Sequence, residues 1–275
     1  MTDDSSWLLV DFEVDDVSAP VVADVLWTLG VAAIEEISGD AGSLVLRTSL
    51  GDDAAAAIEE VVERFPHITA HLVEIPRSVS DTWRDHVEPT HVVDDVWLVP
   101  AWHASRPGRS ILVEPFDTFG LGNHPTTVLT LRSALPLVTA DSRVLDLGSG
   151  SGVLSVALAS IVGAHVDAHD IAAQGEAALH HNARLNRVES LVSWRDALGV
   201  RDDGNYDVVM ANILAPVLRE LAPMIERAVR PGGHMILSGL REDQEGTVLA
   251  AFHGSVQTTV VHMDGWSALT LRREM

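Results

Sequence analysis

The stretch Val144–Ser160, with the sequence VLDLGSGSGVLSVALAS, predicts an apolar strand, a glycine turn and a helix in direct succession. That order lets a backbone approach a nucleotide-like ligand closely. The glycines Gly148, Gly150 and Gly152 follow the spacing G-x-G-x-G, and Val153 stands where a dinucleotide-binding turn needs its third glycine. The stretch therefore favours a ligand other than a dinucleotide.

Acidic residues accompany this turn on successive predicted strands. Asp146 lies two residues before Gly148, where its charge repels a pyrophosphate and suits an ammonium or a hydroxyl group. Asp170 ends the next strand and is placed to accept both hydroxyls of a ribose. Asp196 ends the strand after that, where a carboxylate can meet an adenine amino group.

These carboxylates predict a cationic ligand that carries no phosphate. S-adenosylmethionine has an amino group, a sulfonium and a ribose, and it therefore fits the pattern. Ser149 and Gly150 form the middle of the predicted binding turn. The alternative is a tight strand-to-helix turn that binds no ligand.

Asn212 ends a further predicted strand, YDVVMAN (206–212). The carboxyl ends of the strands line the crevice of an open α/β sheet, and an amide carbonyl there can accept a hydrogen bond from a substrate amine. The alternative is a polar turn residue that caps the helix starting near Leu214.

Strands and helices alternate from Arg143 onward. Strand–helix units precede a closing hairpin, so the chain predicts a doubly wound, Rossmann-like α/β sheet of seven strands, mostly parallel, with an antiparallel edge. Upstream we expect strands at Val92–Val99 and Ser110–Pro115, then a helix in HPTTVLTLRSAL (124–135). The later strands are RVLDLG (143–148), AHVDAHD (164–170), SLVSWRD (190–196), YDVVMAN (206–212), GHMILSG (233–239), VQTTVVHM (256–263) and WSALTLRR (266–273).

The first 75 residues predict a separate small α+β domain. Their element order is βαββαβ, which is typical of a ferredoxin-like arrangement. Residues 76–90 carry Pro76 and Pro89 around a polar stretch and are predicted to be a linker. The predicted division is thus 1–75, a linker at 76–90, and the large α/β domain at 91–275.

Composition excludes several kinds of chemistry. The chain has no cysteine and no lysine, which excludes disulfides, thiolate metal sites, a P-loop lysine and a Schiff-base lysine. Its histidines lack metal-ligand spacing, so no metal site is predicted. No apolar run approaches the length of a membrane span, and the acidic N-terminus is unlike a secretory signal, so we expect a cytoplasmic protein without membrane contact.

The acidic charge is concentrated in the first quarter of the chain. Residues 1–76 hold 16 Asp and Glu against two Arg, which gives −14 of the total formal charge of −22. Direct nucleic-acid binding is not expected of such a chain. A basic protein partner is expected instead, and the alternative is a solvated acidic surface.

Several segments resemble the PrmA family of ribosomal protein methyltransferases. They are FGLGNHPTT (119–127), DLGSGSGVLSVA (146–157), ANILAPVLRELAP (211–223), WRDHVEPTHVVDDVWLVPAW (83–102) and GWSALTLRR (265–273). The resemblance implies an enzyme that uses S-adenosylmethionine to methylate lysine side chains and the N-terminal amine of large-subunit ribosomal protein eleven. It also implies that the N-terminal domain recognises that protein.

The resemblance assigns cofactor contacts to Thr127, Gly148, Asp170 and Asn212. The chain departs from the family pattern at three positions, none of which is one of these contacts: Asn123 stands for a usual Thr, Val87 for a usual aromatic residue, and Ala172 for the second Asp of a DID motif.

Methyl transfer needs a neutral amine aligned with the methyl carbon. We expect Asn212 to orient that amine and residues 120–123 to cover the cofactor. His124 is the nearest candidate for a proton acceptor, with helix capping and packing as the alternative. Two other functions stay open at this point: a methyltransferase of the same fold acting on another protein or a small molecule, and a non-catalytic binding module.

Overall fold

The computed structural model describes residues 6–15, 17–29, 31, 34–38, 43–50, 54–76, 84, 87–116, 118–172, 174–197 and 204–275. The chain divides into two compact units, Met1–Val87 and Glu88–Met275. Most of the predicted linker lies outside the described residues.

The first unit is a four-stranded antiparallel sheet in the order β2-β3-β1-β4. Alternation along β1 buries Val10, Phe12 and Val14 in a core with the two helices, while Asp11 and Glu13 point to the other face. The element order is the predicted βαββαβ. The bounds are β1 (Ser6–Asp15), α1 (Ala19–Thr28), β2 (Ile34–Ser38), β3 (Ser43–Thr48), α2 (Ala54–Arg64) and β4 (Thr69–Pro76).

The second unit is built on a seven-stranded sheet in the order β10-β9-β8-β11-β12-β14-β13. The strands from β10 to β12 are parallel, and β14 runs antiparallel to both of its neighbours. The prediction of a doubly wound α/β sheet with an antiparallel hairpin at its edge is confirmed. The strands are β8 (Arg143–Leu147), β9 (His165–His169), β10 (Val192–Trp194), β11 (Tyr206–Asn212), β12 (Val229–Arg241), β13 (Ser255–Met263) and β14 (Trp266–Arg273).

Apolar side chains cover both faces of this sheet. On β8, Val144 joins the core on one face while Leu145 and Leu147 join the core on the other. A parallel strand buried on both faces has consecutive rather than alternating apolar residues, and β8 shows this at Val144, Leu145 and Leu147, interrupted only by the buried Asp146. The helices of this unit are α3 (Pro125–Ala134), α4 (Val153–Val162), α5 (Gly175–Asn186), α6 (Ala215–Ala228) and α7 (Glu245–Leu249). Within the described ranges, every helix is too short or too polar to span a bilayer.

A three-stranded sheet in the order β5-β6-β7 precedes α3. The prediction of a single strand over Val92–Val99 is wrong, because Asp94 adopts a left-handed φ of 48° and turns the chain into a hairpin. A 3-10 turn at Glu242–Gln244 follows β12 and leads directly into α7. The strands are β5 (Thr90–Val93), β6 (Val96–Pro100) and β7 (Arg109–Val113).

Candidate functional site

The glycine turn lies between β8 and α4, at the carboxyl edge of the parallel sheet. The backbone N–H groups of Gly148 and Ser149 both donate to the carbonyl of His169, at 2.8 and 3.1 Å. Gly150 adopts a φ of +52°, and a Cβ atom at this position would lie 2.3 Å from the carbonyl oxygen of Phe119. Only glycine fits there, because both the backbone conformation and the neighbouring backbone exclude a side chain.

Asp170 fixes this turn from the end of the neighbouring strand β9. Its Oδ2 accepts a hydrogen bond from the N–H of Gly150 at 2.8 Å, and its Oδ1 accepts one from the N–H of Ala172 at 2.8 Å. Each carboxylate oxygen can accept a further hydrogen bond. The predicted ribose acceptor is therefore also part of the scaffold that shapes the turn.

Asp146 is fully buried beneath the first turn of α4. Its Oδ2 accepts from the hydroxyl of Ser155 at 2.6 Å and from the Ser155 N–H at 3.1 Å, one of the N–H groups that the first turn of a helix leaves unpaired. The pKa of Asp146 is raised to about 6, mainly by burial and to a smaller extent by the charge of Asp170, against the opposing effect of the Ser155 hydrogen bonds. The sequence predicted a ligand contact at Asp146. Among the described residues, only Oδ2 has a hydrogen-bond partner, so Oδ1 remains available to a ligand.

Three buried oxygens at this edge have no hydrogen-bond partner in the described part of the chain: Thr127 Oγ1, Asp146 Oδ1 and Ser149 Oγ. Leaving a buried polar atom unpaired costs about 1–3 kcal/mol, so such atoms call for an explanation. An ammonium group and hydroxyls can donate to all three, and the buried carboxylate favours a positive charge. The residues present therefore fit S-adenosylmethionine.

The segment before α3 packs directly on the glycine turn. The N–H of Ser151 donates to the carbonyl of Phe119 at 2.8 Å, and the Ser151 hydroxyl donates to the carbonyl of Gly120 at 2.5 Å. Thr127 lies in the first turn of the helix that follows this segment. Ser151 thereby couples the position of the turn to that of the segment expected to cover the cofactor.

His124 is the N-cap of α3. Its Nδ1 accepts from the N–H of Thr126 at 3.3 Å and lies 2.7 Å from the Thr126 hydroxyl, while its ring stands edge-on to Phe119 and Trp266. Burial lowers the pKa of His124, so the ring is neutral at pH 7. A neutral ring that accepts at Nδ1 carries its proton at Nε2 and donates from there. The capping role is thus visible, and the predicted proton-acceptor role stays a prediction.

Asn212 ends β11, where its backbone pairs with Ser238 of β12. Its side chain is partly exposed, and none of the described hydrogen bonds involves it. The helix that follows, α6, has Leu214 as its N-cap, and no described side chain caps it. The alternative that Asn212 caps this helix is therefore wrong.

Not every predicted site residue joins this group. Asp196 is exposed, lies beyond the end of β10, and has no described contact with the rest of the site. Two contributions were not predicted from the sequence. Ser151 bonds to the segment at Phe119 and Gly120, and the amide of the buried Asn182 donates to the carbonyl of Ser151 at 2.9 Å. A signal for Asn182 existed, since it stands four residues before Asn186 on one helix face.

Comparisons with known proteins identify a family and several relatives. Residues 12–274 match the family model described as ribosomal protein L11 methyltransferase (PrmA). A ribosomal protein L11 methyltransferase from Methylobacillus flagellatus is 32% identical over 293 residues, covering 96% of this chain and 98% of that protein. One from Chromohalobacter salexigens is 37% identical over 221 residues, covering 78% of this chain and 73% of that protein.

Among solved structures, the ribosomal protein L11 methylase from Lactobacillus delbrueckii subsp. bulgaricus superimposes with a TM-score of 0.63 and 26% sequence identity. The match covers 69% of this chain and 100% of that chain.

Proposed function

Because the chain belongs to the ribosomal protein L11 methyltransferase family, we propose that it methylates lysine side chains and the N-terminal amine of ribosomal protein L11. It is an S-adenosylmethionine-dependent methyltransferase. The single observation that carries the site assignment is a group of buried oxygens at the carboxyl edge that lack a hydrogen-bond partner among the described residues, Thr127 Oγ1, Asp146 Oδ1 and Ser149 Oγ.

We assign the cofactor contacts to the residues around the glycine turn. Asp146 attracts the amino group, Thr127 and Ser149 accept hydrogen bonds, and Asp170 receives the ribose hydroxyls. Gly148 and Gly150 supply close backbone approach, and Asp196, at the rim, stays a predicted adenine contact. When bound, S-adenosylmethionine supplies a methyl group activated by a sulfonium charge.

The protein must present the target amine in its neutral form, because a free lysine amine has a reference pKa near 10.4. Asn212 accepts a hydrogen bond from the amine and so directs its lone pair, and this role makes Asn212 the catalytic residue of the proposal. We expect the segment around Phe119 to exclude water once the cofactor and the substrate are bound, which lowers the amine pKa and favours the neutral form. His124 fixes the first turn of α3, and any direct part of its ring in the reaction stays a prediction.

We assign substrate recognition to the first unit, the predicted domain 1–75. Arg47 of β3 is held by both oxygens of Asp11, at 2.7 and 2.8 Å, so its charge is neutralised within the sheet. Glu13 and Glu35 on the same face stay largely exposed. This negative face is complementary to a basic partner such as a ribosomal protein, and it disfavours direct binding of nucleic acid. A ribosomal substrate implies a cytoplasmic location.

The experiment is transfer of a labelled methyl group from S-adenosylmethionine to purified ribosomal proteins. We expect label on L11. We also expect Asn212→Ala to lower the rate about 100-fold by misaligning the amine. Asn205→Ala, directly before the amino end of the same strand, is the matched control and should keep the rate. Label on other proteins or on metabolites, with none on L11, would favour a same-fold enzyme with another substrate.

A further inference from the structure

The strand β7 lies at one edge of its three-stranded sheet, and helix α5 covers that edge. Two asparagines on α5 take the place of a neighbouring strand. Asn186 accepts from the N–H of Leu112 at 2.8 Å and donates to its carbonyl at 2.7 Å. Asn182 makes the same pair of bonds with Glu114, both at 2.8 Å.

The spacing explains why this arrangement works. Four helical residues rise about 6 Å, and two strand residues span about 6.6 Å. Asn182 and Asn186 therefore face two alternate residues whose N–H and C=O groups point to the same side of the strand. A side-chain amide carries one carbonyl and one N–H₂ group, so each asparagine satisfies one residue of the edge strand as a backbone peptide would.

The two asparagines differ in where their second N–H is directed. In Asn186 the second N–H donates to the carbonyl of Asn182, within the same helix, at 2.8 Å. In Asn182 it leaves the helix and donates to the carbonyl of Ser151, in the glycine turn, at 2.9 Å. Asn182 is fully buried, so water cannot replace that bond.

Asn182 thereby connects the two ends of residues 114–120, the segment that leads from β7 to the glycine turn. Its amide holds Glu114, the residue directly after β7, and Ser151, which in turn holds Phe119 and Gly120. A shift of the glycine turn relative to residues 114–120 would therefore break these hydrogen bonds. We propose that Asn182 is a positioning residue that sets the geometry of the cofactor-binding turn, an inference that rests on the proposed function for the identity of the ligand.

The test compares two matched variants, Asn182→Asp and Asn186→Asp. Each places a carboxyl group against two carbonyl oxygens and removes amide donors of the same kind, but only the first breaks the tie to the glycine turn. Binding of S-adenosylhomocysteine is measured by calorimetry. We expect Kd to rise about tenfold or more for Asn182→Asp, as loss of a buried hydrogen bond predicts. For Asn186→Asp we expect a change below about threefold.

A second readout needs no ligand. Amide hydrogen exchange in the ligand-free protein should accelerate at residues 148–153 and 118–121 in Asn182→Asp, and at β7 alone in Asn186→Asp. In turnover assays, KM for S-adenosylmethionine should rise more than KM for the protein substrate. If Asn182→Asp does not fold, Asn182→Ala and Asn186→Ala give the same comparison without the added carboxyl groups.

Equal changes in Kd and in exchange for the two positions would overturn the inference. If the unaltered protein does not bind S-adenosylhomocysteine, the proposed function fails, and the exchange comparison alone then decides whether Asn182 controls the turn.

Discussion

Asp146 and Asp207 lie on the adjacent strands β8 and β11, near opposite ends of the sheet, and their surroundings differ. Asp146, near the carboxyl edge, is fully buried, one of its oxygens has no partner within the described ranges, and burial raises its pKa to about 6. At the amino edge, partial burial acts to raise the pKa of Asp207. Hydrogen bonds from the Arg143 N–H and the Arg230 guanidinium outweigh that effect and hold it below the ordinary value.

Other polar and charged side chains near Asp207, at the amino edge, also contact one another. The Tyr206 hydroxyl donates to Asp167 at 2.8 Å, and the guanidinium of Arg143 lies over the Tyr206 ring at 5.7 Å. The two edges of this sheet therefore differ in function. At the amino edge, the polar groups around Asp207 bond to one another, whereas at the carboxyl edge some polar atoms have no partner among the described residues and remain available to a ligand. Four predictions test this division.

The largest effect should come from Gly150→Ala. The new Cβ would meet the Phe119 carbonyl at 2.3 Å in a left-handed backbone conformation. Strain and overpacking together predict a Kd for S-adenosylhomocysteine at least about 300-fold higher, about 3.5 kcal/mol, by calorimetry.

Gly163→Ala is the control for that change. Gly163 also has a left-handed φ, but it lies at the C-terminal end of α4, and among the described residues a Cβ there would meet the Ala140 Cβ alone, at an ordinary contact distance of 3.7 Å. It should cost about 1–2 kcal/mol of stability and leave Kd unchanged. Similar losses of binding in both variants would contradict the proposed place of the ligand.

Asp146→Asn should change the pH dependence of stability. Because burial raises the folded-state pKa to about 6 from the ordinary 3.8, the folded wild type binds more protons than the unfolded chain between these values. Wild-type stability contributed by this group is therefore lost as pH rises through that window. Above pH 6 the variant should be more stable by up to about 3 kcal/mol, and below pH 3.8 the two proteins should agree. Urea unfolding at both ends of the window measures the difference, and a difference independent of pH would refute the buried charge.

Asp170→Ala removes the acceptor that holds the N–H of Gly150. We expect the binding free energy of S-adenosylhomocysteine to weaken by at least about 1.5 kcal/mol, because a charged hydrogen-bond acceptor is lost. This change corresponds to a Kd that is roughly tenfold higher or more. The amino-edge counterpart, Asp207→Ala, should lower the free energy of unfolding and leave Kd within about twofold. Calorimetry on both variants gives the answer, and unchanged affinity in Asp170→Ala would show that the ribose lies elsewhere.

Much of this fold was predictable from local pattern. The bounds of β11 match the predicted stretch 206–212, since an apolar run closed by polar residues marks a buried parallel strand. The β5–β6 hairpin was missed because its turn, Asp94–Asp95, contains no glycine, and Asp94 adopts a left-handed conformation that non-glycine residues seldom take.

The candidate site was predictable only in part. The glycine turn and the end of β9 are local features, so Gly150 and Asp170 are found from spacing. The bond between Asp146 and Ser155 and the tie from Asn182 to Ser151 depend on where a helix packs, which no local pattern specifies. Those contacts join residues from different elements, and they decide which polar atoms stay available.

We expect substitution of His124 to give the smallest effect. Its Nδ1 already has a hydrogen-bond partner, as the polar groups of the amino edge do, yet its ring lies beside the candidate site at the carboxyl edge. His124→Ala should cost about 1 kcal/mol through loss of the cap, and His124→Asn should recover most of it, since asparagine is a good N-cap. Burial lowers the pKa of His124 below its ordinary 6.5, so the folded state binds fewer protons. The wild type should therefore lose stability relative to His124→Asn as pH falls below 6.5. If capping is the whole role, kcat of His124→Asn stays within about threefold of the wild type, whereas a proton acceptor would lose on the order of 100-fold. Methyl-transfer rates measured across pH separate the two, because only the second case removes a limb of the profile.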